Sequence, residues 1–65
     1  TVLNAANEVA VQAFLDERIP YKDIAEIIRM VMQNHNPVAL QELQDVLEAD
    51  RWAREETEKT ITVAH

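Results

Sequence analysis

Residues 1–15, TVLNAANEVAVQAFL, limit the fold of this 65-residue chain more than any other stretch. Set on a helix at about 100° per residue, Val2, Leu3, Ala5, Ala6, Val9, Ala10, Ala13 and Phe14 cover one broad face. Val11 and Leu15 fall on the other side. Asn7 lies between Phe14 and Val11, and Asn4 between Val11 and Leu15. Only Glu8, Gln12 and Asp16 share a narrow polar strip. A helix that is apolar nearly all round is a buried one. The pattern therefore predicts a central core helix with Asn4 and Asn7 as structural buried amides. A buried amide left without a partner costs ~1–3 kcal/mol. Backbone groups at a helix crossing are the expected partners, with a ligand as the alternative.

The rest of the chain reads as helix too. There is no glycine, there are two prolines, and Ala, Glu, Gln and Leu are abundant. Any turn that needs positive φ must place a side-chain-bearing residue there, at a cost. The fold class expected is all-α, with three helices at about 2–17, 22–34 and 40–62. Thr1 is a candidate N-cap for the first. Pro20 breaks the chain after it, and the short connector makes helices 1 and 2 antiparallel neighbours. In helix 2, Ile24, Ile27, Ile28, Val31 and Met32 form a stripe that His35 prolongs, while Glu26, Arg29 and Gln33 face away. Asn34 and Asn36 are candidates for a left-handed residue after that helix, and Asn36 before Pro37 also fits an N-cap of the next. Leu43, Val46, Asp50, Ala53, Thr57 and Ile61 follow one seam, with Leu40 and Leu47 beside it. The reading is one continuous helix, with a break at Asp50 as the alternative. Residues from Thr60 onward are expected to fray.

Length and charge narrow the function. A chain this short is one domain at most, and it buries only about 60% of its unfolded surface. No cysteine exists to staple it. The formal charge of −6 argues against a nucleic-acid partner and against an anionic membrane surface. No apolar run approaches the ~20 residues of a membrane span. Absence of Ser, Cys and Gly excludes a serine or cysteine nucleophile and a glycine-rich phosphate loop within these residues. No His-x-x-x-His or Glu-x-x-His pair is present to hold a metal. Catalytic, cofactor-binding and metal-ligating residues are therefore expected to be none. His35 is read as an imidazole on the last carbonyls of helix 2. Trp52 is read as pointing to the outer face of helix 3, where with Arg51 it forms a candidate interface anchor.

Three blocks then combine. LNAANEVAVQAFL, IPYKDI and VLEADRWARE, in that order and spacing, resemble the C-terminal part of the 1-deoxy-D-xylulose 5-phosphate reductoisomerase family, from Leu3 through Glu55. The resemblance implies a C-terminal helical domain fragment. It further implies a parent with a Rossmann-like NADPH domain and a central catalytic domain, both outside these residues. That parent is an NADPH-dependent enzyme of non-mevalonate isoprenoid biosynthesis using Mg²⁺ or Mn²⁺. None of the family's catalytic residues maps here. Lys22 departs from the family, where Thr or Ser often caps the helix. The resemblance also implies one further helix upstream, so the bundle is expected to be incomplete. The expected partner is the parent's catalytic domain, with self-association of the isolated chain and a cytoplasmic location also expected. The alternative is a free-standing acidic helical interaction or dimerisation module.

Overall fold

The computed structural model describes residues 1–35 and 42–64. Three helices occur among them: α1 (Val2–Leu15), α2 (Asp23–Gln33) and α3 (Leu43–Ala64). None is long and apolar enough to cross a membrane. Asn36, Pro37 and Leu40 lie outside the described residues, as does the start expected for helix 3 at 40. The helix is present from Leu43 and runs unbroken through Asp50. Glu42 donates its backbone N–H to Asp45 Oδ2 at 3.2 Å, one half of a capping box at the start of α3.

The three helices run up, down and up. Val2 and Ala5 of α1 pack with Ala49, Trp52 and Ala53. Further along, Ala10 and Ala13 pack with Ile61, so α1 and α3 are parallel. Ile27 meets Ile61 near the start of α2, and His35 meets Trp52 past its end, so α2 is antiparallel to both. Ala5, Ala6, Ala10 and Ala13 are buried on α1. Their short side chains let the neighbouring backbones approach closely. Ile27, Val31 and Ile61 are the large aliphatic side chains at the centre, and each contributes ~1.5–3 kcal/mol by leaving water.

Thr57 and Thr60 are buried on α3. Thr57 Oγ1 donates to the Ala53 carbonyl at 2.6 Å and Thr60 Oγ1 to the Glu56 carbonyl at 2.8 Å. Each hydroxyl thus finds an acceptor within its own helix. The burial of Thr60 and Ile61 corrects the expected fraying at those two positions; Thr62 and Val63 are exposed, and His65 lies outside the described residues. The start of α3 is bare as well. Leu43 is 73% exposed and Leu47 60%. With 22 residues against 14, α3 outreaches α1 by about 12 Å at 1.5 Å per residue.

The turn after α1 solves the problem set by a chain without glycine. Glu17 adopts φ 62°. The Glu17 N–H donates to the Phe14 carbonyl at 3.0 Å and the Arg18 N–H to the Ala13 carbonyl at 2.8 Å. This is the Schellman pattern, which closes open carbonyls at a helix end. The left-handed position therefore falls on a glutamate. Asn34, the sequence candidate for that conformation, has φ −88° and continues the right-handed turn.

Candidate functional site: the two sides of α1

One side of α1 is core and the other is open. Ala5, Ala6, Ala10 and Ala13 are at most 2% exposed. On the reverse side, Leu3 is 54% exposed and Leu15 63%. Val11 is half-buried. Asn4 and Asn7 are both exposed, which corrects the expectation of buried amides. The physical reason is geometric. Two neighbouring helices cover one side of a third, and the asparagines flank Val11 directly opposite the alanines. An apolar pattern measures which surfaces tolerate burial, and α2 and α3 occupy only one of them.

Leu3, Asn7, Val11 and Leu15 recur every four residues and so form a single row along this open side. Glu8 is the lone charged side chain between Thr1 and Leu15. The exposed side of α3 is different in kind, carrying Glu48, Arg51, Glu55, Glu58 and Lys59. A charge-poor row on a chain of net charge −6 has the composition of an interface centre rather than of a solvated face.

A polar groove of about 370 Å³ separates α1 from α3 beside this row. Arg54 crosses it, donating to Glu8 Oε2 at 2.7 Å and to Asp50 Oδ2 at 2.8 Å. Hydrogen bonds to Asp50 and then Glu8 raise the Arg54 pKa above its ordinary value. Arg18, in the turn after α1, pairs with Glu58. That hydrogen bond raises Arg18 and lowers Glu58, outweighing partial desolvation in each case. On α2, Arg29 pairs with Glu26 and lowers its pKa in the same way. All these side chains are well exposed, so solvent screens the pairs. Exposed pairs of this kind contribute little to stability. Among the described residues, two side-chain pairs four residues apart on α3 are bonded, Gln44–Glu48 and Asp50–Arg54. Arg54 spends its other contact on Glu8 in place of Glu58, a choice across helices that spacing along one helix does not reveal.

Trp52 is half-buried. It packs against the Val2, Ala5 and Ala53 cluster, and its ring lies 5.6 Å from that of His35, tilted by 41°. It therefore does not point to the outer face of α3, because α1 and the end of α2 converge there. Arg51 beside it is exposed. His35 uses its ring on Trp52, while its backbone N–H donates to the Met32 carbonyl at 3.2 Å. Thr1 stands at the N-cap of α1 without a side-chain bond, and Lys22 likewise at α2. Phe14 and Tyr21 meet edge to face at 5.5 Å. Met30 and Met32 are 37% and 38% exposed, at the margin of the core.

The charged groups paired across to α3 are arginines tied to carboxylates. Among the described residues no group of three or more His, Cys, Asp or Glu side chains is gathered where it would hold a metal ion. Without glycine, no backbone here approaches a pyrophosphate in a glycine-rich loop.

Comparison with known proteins identifies the family. A family described as DXP reductoisomerase C-terminal domain matches residues 1–56. The 1-deoxy-D-xylulose 5-phosphate reductoisomerase of Chlorobium limicola is 53% identical over 60 residues, 92% of this chain and 16% of that protein. Its counterpart in Citrifermentans bemidjiense is 52% identical over 62 residues, covering 95% and 16%. That of Actinobacillus pleuropneumoniae is 51% identical over 61 residues, covering 94% and 15%. No solved structure matches the chain. The chain spans 16% of the length of the first two of these relatives. With a family match over most of its residues and relatives identical at half of them, the chain belongs to the DXP reductoisomerase C-terminal domain family.

Proposed function

We propose that this domain braces a 1-deoxy-D-xylulose 5-phosphate reductoisomerase by docking the open side of α1 on the rest of its parent chain. The observation that carries the reading is the charge-poor row of Leu3, Asn7, Val11 and Leu15. Apolar surface with embedded amides suits a fixed protein neighbour, which removes the leucines from water and offers the asparagines backbone partners. The parent's activity is the NADPH-dependent rearrangement and reduction that yields 2-C-methyl-D-erythritol 4-phosphate, with Mg²⁺ or Mn²⁺, in the cytoplasmic non-mevalonate route to isoprenoids. On this reading the groups that hold NADPH, metal and substrate belong to the rest of the parent, and the domain contributes shape to the cleft rather than chemistry.

The test is made in the full-length parent enzyme. Val11→Glu with Leu15→Glu puts two carboxylates on the docking side. The expected result is a loss in kcat/KM of about tenfold or more, equivalent to ~1.4 kcal/mol of transition-state stabilisation, together with a lower melting temperature. Glu55→Gln, on the solvated face of α3, leaves both unchanged. NADPH oxidation and melting that ignore the double substitution overturn the brace. Equilibrium sedimentation of the 65-residue chain then distinguishes a row that pairs with a second copy, for which the same substitutions abolish dimers.

A further inference from the structure

We draw no further inference here: the strongest candidate outside the α1 row, the apolar groove of about 350 Å³ between α2 and α3 flanked by Met30 and Val63, carries nothing because no feature of the structure shows what covers it.

Discussion

The two ends of the bundle are built differently. At one end all three helices converge, and Ala10, Ala13, Ile19, Ile27 and Ile61 close a core of aliphatic side chains. At the other, α2 has ended and His35 lies beside Trp52. Val2, Ala5 and Ala53 are small or short, and the half-buried Trp52 fills the remaining space. The first end is sealed by Ile19, which the Schellman turn folds back to 4% exposure. The second is sealed by one aromatic ring laid across the start of α1. Fully enclosed aliphatic groups lose all contact with water, whereas a ring at a rim keeps part of it. The first end therefore carries more of the stability.

Unequal losses at the two ends are the first expectation. Ile27→Ala removes a side chain that is 2% exposed and lowers unfolding stability by ~3 kcal/mol. Trp52→Ala, at the rim, lowers it by ~1.5 kcal/mol, about half the cost of a fully buried ring. Urea titration followed by far-ultraviolet circular dichroism measures both, and equal losses would break the comparison. A smaller effect of opposite sign comes from the turn that brings Ile19 home. Glu17→Gly relieves the left-handed strain and raises stability by ~1 kcal/mol, an upward shift of ~4–8 °C in the melting temperature of a domain this size. No rise would mean that the Glu17 side chain offsets the strain.

The smallest effect is the response to acid. Arg18 at the closed end holds Glu58 below its ordinary value of 4.5, and Arg29 does the same for Glu26. A carboxyl whose folded pKa is depressed contributes stability above its unfolded pKa and loses it as pH falls through the folded one. Stability should therefore decline from about pH 4.5 downward. Glu58→Gln should flatten part of that slope, and added salt should weaken it because the pair is exposed. Thermal melts across pH 3 to 7, as a rough span around the carboxylate range, read the difference. Identical slopes for both proteins would remove the Arg18–Glu58 pair from the account.

Much of this architecture is legible from periodicity. Ile27 and Val31 repeat at helical spacing because α2 turns one face to its neighbours, and both are buried. Ala53, Thr57 and Ile61 lie on the seam of α3 as their spacing requires, and all are enclosed. What was not legible depends on how many neighbours a helix has. Asn4 and Asn7 sit among apolar residues, but the surface they share receives neither α2 nor α3. Trp52 lies off the seam of its own helix, yet the start of α1 and His35 reach it. Arg54 has acceptable partners at Asp50 and Glu58 along its own helix, and selects Glu8 from another. Glu17 carries no mark in composition. Its conformation follows from the length of α1 and from the lack of any glycine to take its place.

The ring that closes the second end is the sole indole in the chain. Its fluorescence therefore comes from one address, where the start of α1, the middle of α3 and the last turn beyond α2 touch. Separation of any one of these helices exposes the ring to water and shifts its emission to the red. A single optical signal, without any label, thus reports whether the three helices remain docked while other parts of a longer polypeptide bind, move or unfold.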